Sequence, residues 1–357
     1  MFSGRNMTPW HKLGTVVEGL KTATEALNLA HLDWNVIPIP VQCNGQTLPF
    51  PSLDSSGELD RRDCFQGICR QDNGKCLGIV KGRYEPIQNR EAFSFFDSLI
   101  GQGKAVYDTA GALRDGKQVW LLAKIDGEIE INGDAHRQFA LMVTSHDASY
   151  TLQTSYVVER VVCANTLSIA LSGATQTVKI KHTKEWKNKE EEARRVLGLG
   201  EKYFTTIQEA LSGMNEKLLT RGQMSEFTRL ITAGQRDGES PLDWVTRVRA
   251  EKADDISTRT TNIRGEIDSL FNHNGNLGKS RWDALNAVTD YVDHNSTVRG
   301  GNGRLENALF GSGARLKQTA FNTLQNEDIM QILLDRPFKP SEKSLVTTSD
   351  FHRLMGN

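Results

Sequence analysis

The stretch "KQVWLLAKIDGEIEINGDAHRQFALMVTSH", residues 117 to 146, decides the fold class. It holds two β-rich runs, residues 117–126 and 137–146, and the Asn-Gly pair at 132–133 between them is typical of a hairpin turn. Upstream, "KAVYDTAGAL" at 104–113 reaches the first run through an Asp-Gly pair, and downstream "SYTLQTS" at 149–155 continues the series. We therefore expect three or four consecutive antiparallel strands, which form a β-meander.

Helices are predicted on both sides of these strands. "NREAFSFFDSLIGQG" at 89–103 has a capping asparagine at its start and glycines that stop a helix at its end. After residue 155 the hydrophobic spacing changes, and "VVERVVCANTLSIALSG" at 157–173 places apolar residues at helical spacing before a terminal glycine. This predicts a helix lying on the meander, although its β-branched first half leaves a strand followed by a helix as the alternative.

The rest of the chain is helical in pattern. One apolar stripe runs through residues 186–218, and Ser240 before Pro241 is a good helix start. The fold class is therefore α+β, with an antiparallel meander crossed by helices in the N-terminal half and an α-helical C-terminal half. We expect an α+β domain at 1–180, a helical domain at 181–335 and a loosely ordered tail at 336–357.

Composition excludes several classes of protein. The chain has 357 residues and a formal net charge of -1, so any contact with nucleic acid must come from a local basic patch. It has no apolar run long enough for a membrane span and no signal peptide, which predicts a cytoplasmic protein without membrane contact. Five cysteines, an odd number, predict free thiols rather than a disulfide framework.

No motif for a metal, a cofactor or a catalytic centre is found. The spacing of Cys43, Cys64, Cys69 and Cys76 is not that of a zinc site, and "GNLGKS" at 275–280 lacks the first glycine of a phosphate loop. We therefore predict no metal, no cofactor and no enzymatic activity. The remaining enzymatic alternative is a nucleophilic Cys163 activated by a distant histidine, against which a small apolar core residue is the simpler interpretation.

The segment "KIKHTKEWKNKEEEARR" at 179–195 is the best candidate binding site. It contains seven lysines and arginines against four glutamates. Cations that contact phosphates beside a ring that stacks on bases are what a groove for single-stranded nucleic acid needs. The predicted site residues are Lys179, Lys181, His182, Lys184 and Trp186, with Arg83 and Tyr84 of "GIVKGRYEPI" as a second cation and ring. The alternative is a solvated helix start with Trp186 in the core.

Several segments together resemble a protein family. They are "TPWHKLGT" at 8–15, "GRYEPIQNREAF" at 82–93, "ERVVCANTLSIAL" at 159–171 with "IKHT" behind it, "WDALNAVTDYVDHN" at 282–295 and "FGSGARLKQTAFNTL" at 310–324. The resemblance is to phage/plasmid-like proteins of unassigned function, found in phages, prophages and plasmids. It implies a mobile-element protein of the bacterial cytoplasm that works among phage or host replication and recombination proteins. The predicted helices and meander are also similar in outline to the core of single-strand annealing proteins.

The resemblance is tightest around Arg160, Cys163 and Asn165. We expect Cys163 and Asn165 to be structural, with the Asn165 side chain bonded to backbone at the entry of the predicted helix. Arg160 suits two partners equally, because its planar fork binds either a phosphate or a carboxylate, such as Glu159 or Asp147.

Two functions are open at this point. The first is a non-enzymatic single-stranded DNA-binding protein that anneals complementary strands as a homo-oligomer, either a ring or a filament, because repeated weak sites add avidity. The second is a mobile-element protein that binds a host or phage protein through its helical half and does not touch DNA. The salt dependence of binding discriminates between them.

Overall fold

The computed structural model describes residues 14–17, 20, 22–48, 52–53, 55, 59–60, 64–100, 105–131, 133–160, 165–167, 177–183, 185–189, 200–273, 280–297, 303, 307–308 and 311–335. The chain forms two compact units. The first consists of residues 1–213 and 292–318, and the second consists of residues 214–291 and 319–357. The predicted α+β class is confirmed, with antiparallel sheets in the N-terminal half followed mostly by helices.

A seven-stranded antiparallel sheet dominates the first unit. Its strands are β1 (Thr15–Val16), β9 (Ala105–Leu113), β10 (Gln118–Ile131), β11 (Asp134–Ser145), β12 (Leu152–Arg160), β13 (Asn165–Leu167) and β14 (Thr177–Ile180). They lie in the order β1-β9-β10-β11-β12-β13, and β14 pairs with the other half of β12. Strands β9 to β12 are therefore the predicted meander.

The two predicted turns join the strands of the meander. Gly133 has a φ of 78° between the partners Ile131 and Asp134, so the Asn-Gly signal correctly predicts the link from β10 to β11. In the Asp-Gly turn, Asp115 has a φ of 60° and Gly116 a φ of 101°, which returns the chain from β9 to β10. Left-handed backbone of this kind favours glycine and tolerates aspartate.

The core of the sheet lies in the middle of the meander. Its cluster of fully buried side chains consists of Leu113, Trp120, Leu122, Phe139, Leu141, Val143 and Val157. Helix α1 (Ala23–Leu29) packs against β9, and helix α2 (Asn89–Ile100) packs against α1 and β11. The predicted helix at 89–103 is thus confirmed by α2, and helices of the N-terminal half do pack against the sheet.

The predicted helix at 157–173 is wrong where the structure describes it. Val157 and Val158 belong to β12 and pair with Phe139 and Gln138 of β11, while residues 165–167 form β13. Val157 and Val158 are both buried, so this strand is covered on both faces and lacks the alternation that identifies a half-exposed strand. Of the strand-then-helix alternative, the strand half is confirmed.

Smaller sheets precede the meander in the first unit. Strands β2 (Val36–Pro40), β7 (Phe65–Arg70) and β8 (Cys76–Lys81) form a three-stranded antiparallel sheet. Two short hairpins lie between β2 and β7 in the chain. They pair β3 (Gln42–Cys43) with β4 (Gln46–Thr47), and β5 (Ser52–Leu53) with β6 (Leu59–Asp60).

The later helices follow the predicted helical pattern. They are α3 (Gly200–Asn215), α4 (Arg221–Ala233), α5 (Pro241–Arg249), α6 (Thr258–His273), α7 (Arg281–Asp290), α8 (Ser312–Gln325) and α9 (Glu327–Asp335). The predicted start of α5 is confirmed, because the Ser240 side chain accepts a hydrogen bond from the backbone of Asp243 and Pro241 follows it. Among the described helices, none combines the length and the apolar character that a membrane crossing requires.

Candidate functional site

Two segments that are distant in sequence meet at Tyr84 and His182. Tyr84 lies in the turn after β8, and His182 follows β14 by two residues. The two rings are stacked, with centroids 4.9 Å apart and an angle of 22° between their planes. The backbone N–H of Glu85 donates to the carbonyl of His182 at 3.1 Å, and the Tyr84 hydroxyl donates to the carbonyl of Ser145 at 2.7 Å. These contacts join the two predicted basic segments into one site, and we call them the Tyr84–His182 junction.

Exposed cations flank this junction. Lys81 and Arg83 stand on one segment and Lys179 and Lys181 on the other, and all four side chains are exposed. Lys179 and Lys181 share a face because alternate residues of an extended chain point the same way. Within the described part of the chain, none of the four forms an ion pair. We call these four residues the basic surface.

The structure buries one of the two predicted rings, Trp186, and half-buries the other, Tyr84. Trp186 is only 7% exposed and packs edge-on against Phe95, with centroids 6.2 Å apart. The exposed Lys187 lies over the Trp186 ring and pairs with Glu91 at 2.8 Å. Tyr84 is half-buried and is held by its stacking on His182 and its hydrogen bond to Ser145. The Trp186 ring is therefore closed to a base, and one face of the Tyr84 ring is already occupied by His182.

His182 is buried beneath the junction. It is 7% exposed, and its Nε2 lies 3.0 Å from the Thr144 hydroxyl. Burial disfavours the charged imidazolium and lowers the pKa of His182 to about 4. His182 is therefore neutral at physiological pH, and the positive charge of the site comes from its lysines and arginine.

A second buried histidine lies deeper in the same unit. His146 is fully buried, and its Nε2 lies 2.9 Å from Oδ1 of Asn89, whose Nδ2 donates to the carbonyl of Leu32 at 2.9 Å. Because the Asn89 oxygen accepts, the His146 proton is assigned to Nε2. Nδ1 has no hydrogen-bond partner among the described residues. Burial, followed by the field of His182, lowers the pKa of His146 to about 3.

An open cleft near these histidines was not predicted from the sequence. It has a volume of about 460 Å³, and Trp34, Arg70, Lys75 and Asp115 are among its lining residues. The Arg70 guanidinium lies 4.2 Å from the centre of the Trp34 ring, and Lys75 pairs with Asp115 at 2.9 Å. The Trp34 ring also meets His146 edge-on at 5.3 Å. The Asp-Gly turn signal identified the position of Asp115 but not its place in a cleft.

The remaining predicted residues are only partly described. The backbone of Arg160 pairs with His136 of β11 and with Asn165 of β13, and the side chains of Arg160 and Asn165 lie outside the described residues. Lys184 and Cys163 also lie outside them. Glu159, one of the carboxylates considered for Arg160, is completely buried and lies 2.8 Å from Nε of Arg137.

Comparison with known proteins agrees with part of the resemblance. The family described as "Domain of unknown function (DUF932)" matches residues 76–310, a range that contains the meander, both sides of the junction and helices α3 to α7. No curated protein and no solved structure matches the chain. Because the match covers more than half of its residues, the chain belongs to the DUF932 family.

Proposed function

We propose that this chain is a mobile-element protein of the phage and plasmid type that binds single-stranded DNA. The observation that carries the proposal is the basic surface. Lys81 and Arg83 are brought beside Lys179 and Lys181 by the Tyr84–His182 junction, although about 100 residues of chain separate the two segments. Because none of these four cations forms an ion pair with another described residue, they attract phosphates without first losing such a carboxylate.

The packing of both predicted rings narrows the proposed mode of binding. Because Tyr84 and Trp186 are engaged in packing, the basic surface contacts the phosphate backbone and does not stack the bases. Binding through phosphates alone is independent of sequence and is weak at a single small site. Annealing of complementary strands therefore requires several subunits on one strand, so a homo-oligomeric ring or filament is part of the proposal.

The test is fluorescence anisotropy of a labelled single strand of roughly 30 nucleotides, titrated with the protein over a salt series. Four phosphate contacts give a slope of roughly -3 in a plot of log binding constant against log salt concentration. The variant Arg83→Ala/Lys179→Ala/Lys181→Ala removes three of the four cations. It is expected to bind at least tenfold more weakly at low salt and to show a slope of roughly -1.

A control with the same change in net charge separates a local surface from a general electrostatic effect. Lys202, Arg221 and Lys252 are also exposed, and they lie on or near the helices that follow residue 200. The variant Lys202→Ala/Arg221→Ala/Lys252→Ala is expected to bind like the parent within about twofold. If the two triple variants lose binding equally, or if the parent does not bind at low salt, the proposal is refuted and a protein partner becomes the better hypothesis.

Light scattering on the same samples tests the oligomeric part. We expect an assembly larger than a monomer at micromolar concentration, with or without the strand, since a monomer lacks the repeated sites on which annealing depends. A protein that stays monomeric on saturated DNA would retain the binding proposal and exclude the annealing proposal.

A further inference from the structure

Cys69 and Cys76 form a pair across the hairpin of β7 and β8. The two residues are direct partners in the antiparallel register, next to an irregularity at Ile68. Direct partners on neighbouring antiparallel strands have Cα atoms roughly 4.5–5.5 Å apart. That separation lies inside the range of roughly 4.4–6.8 Å that a disulfide spans, so the backbone already has the geometry for a bond between them.

The two sulfur atoms lie over the same glycine. A Cβ placed on Gly67 would lie 3.4 Å from Sγ of Cys76 and 3.7 Å from Sγ of Cys69. Gly67 has no side chain, so the space above it is left to the two thiols. The Cys76 thiol also donates to the carbonyl of Gly78 at 3.5 Å, and no hydrogen bond of Cys69 to a third residue competes within the described chain.

The two thiols differ in accessibility. Cys76 is exposed, whereas Cys69 is only 7% exposed. Burial, and then the neighbouring Cys76 thiol, raise the pKa of the Cys69 thiol. Cys69 pairs with Ile37 of β2, which is 41% exposed, so the pair lies on the open face of the three-stranded sheet. A small molecule reaches Cys76 from solvent, and Cys69 lies behind it.

We propose that Cys69 and Cys76 are a redox-active dithiol whose substrate is a low-molecular-weight disulfide of the glutathione class. The exposed Cys76 thiolate attacks one sulfur of the small disulfide, whose S–S bond breaks, and the first small thiolate leaves. A mixed disulfide is then attached to Cys76. The Cys69 thiolate attacks Sγ of Cys76, the mixed disulfide breaks, and the second small thiolate leaves.

The reaction balances without any further reagent. One S–S bond is broken in the small disulfide and one is formed between Cys69 and Cys76. The two protein thiols are oxidised, and the small disulfide is reduced to two thiols. The two protons that leave Cys69 and Cys76 are taken up by the two released thiolates.

The test is equilibration of the intact protein with mixtures of glutathione and glutathione disulfide, followed by acid quenching, alkylation with N-ethylmaleimide and mass spectrometry. Trypsin places Cys69 in the peptide of residues 63–70 and Cys76 in that of residues 76–81. As the disulfide fraction rises, we expect these two peptides to become joined with the loss of two hydrogen atoms. Cys43, an exposed cysteine of another hairpin, is expected to carry only a mixed disulfide with glutathione.

Three variants make the outcome decisive. Cys64→Ser removes the other cysteine of the first peptide and is expected to leave the joined product unchanged. Cys76→Ser is expected to abolish that product, and Cys69→Ser to leave glutathione trapped on Cys76. Equal melting temperatures for parent and variants establish that the hairpin is intact in each.

Three results would overturn the proposal. The first is that both thiols remain fully alkylated at every ratio of glutathione to its disulfide. The second is that glutathione accumulates on Cys76 in the parent protein as it does in the Cys69→Ser variant. The third is that the joined product disappears in the Cys64→Ser variant, which would assign the bond to Cys64.

Discussion

Acidification is expected to destabilise the sheet unit through its two buried histidines. In the folded protein the pKa of His146 is about 3 and that of His182 about 4, whereas an unfolded histidine titrates near a pH of about 6.5. Below that pH the unfolded chain therefore binds more protons than the folded one. The free energy of unfolding falls as the pH falls, and it continues to fall until the folded-state pKa is reached.

The magnitude follows from this difference. Each pH unit in that window costs about 1.4 kcal/mol for each histidine. Between a pH of about 6.5 and about 5, each histidine lowers the free energy of unfolding by about 2 kcal/mol, and the two together lower it by about 4 kcal/mol. This is a large fraction of the ~5–15 kcal/mol that typically holds a domain together.

Burial is the first cause of the low pKa of His146, and the field of His182 is the second. The Nε2 proton of His146 is directed at Asn89, so a second proton must go to Nδ1, which has no acceptor among the described residues. The variant His146→Gln keeps a donor toward Asn89 and has no group that titrates. It is expected to lose about 2 kcal/mol less than the parent over the same change in pH.

The assay is urea-induced unfolding followed by tryptophan fluorescence at a pH of about 7 and a pH of about 5. The two proteins differ only at residue 146, so the comparison isolates His146. His31→Asn is the control, because His31 is exposed and has a φ of 55° that asparagine tolerates. If the parent and His146→Gln lose the same stability between the two pH values, the assignment of a neutral, buried His146 is refuted.

Three further variants test a buried ion pair, a close contact between two backbone segments and a helix cap. In urea unfolding, Lys317→Met is expected to lower the free energy of unfolding by about 3–5 kcal/mol, because it removes the ammonium that lies 2.5 Å from the buried Asp293 carboxylate. The double variant Lys317→Met/Asp293→Leu is expected to recover most of that loss, because it removes the carboxylate as well. Gly78→Ala is expected to lower the free energy of unfolding by about 1–3 kcal/mol in the same assay, because its new Cβ would lie 2.7 Å from Cα of Asp147. Thr220→Ala is expected to lower the free energy of unfolding by about 1 kcal/mol, because it removes the capping box of α4. Thr220→Ser keeps the capping hydroxyl and is expected to unfold like the parent. Equal stabilities of parent and variant would contradict each of these assignments.

The meander was predictable because the sequence signals that mark its turns are adjacent to the strands that they join. Gly116 and Gly133 occupy the left-handed backbone of the two turns, and each turn residue is adjacent in sequence to the strands that it joins. The stretch at 157–173 was not predictable by the same means. A strand buried on both faces shows a continuous apolar run, and Val157 and Val158 fit such a strand as well as they fit one face of a helix.

The candidate site was predictable in its residue types and not in its geometry. The cations of "KIKHTK" and "GRYEP" are visible in the sequence, but the stacking of Tyr84 on His182 is a tertiary contact across about 100 residues. The burial of Trp186 depends likewise on Phe95 of a helix far upstream. Neither the cleft at Trp34 and Arg70 nor the pairing of Cys69 with Cys76 leaves a local pattern, because each depends on the register of strands.

The neutrality of His182 has a consequence for the proposed DNA binding. A histidine beside lysines on a phosphate-binding surface usually strengthens binding as the pH falls, since its protonation adds a cation. His182 is buried with a pKa of about 4, so it stays neutral at a pH of about 6 and adds no cation to the basic surface. We therefore expect the affinity for a single strand to change by less than about twofold between pH values of about 8 and 6. A marked increase at the lower pH that is lost in His182→Gln would show that His182 turns outward and protonates on the phosphate, against the stacked and hydrogen-bonded position in which Tyr84 and Thr144 hold it.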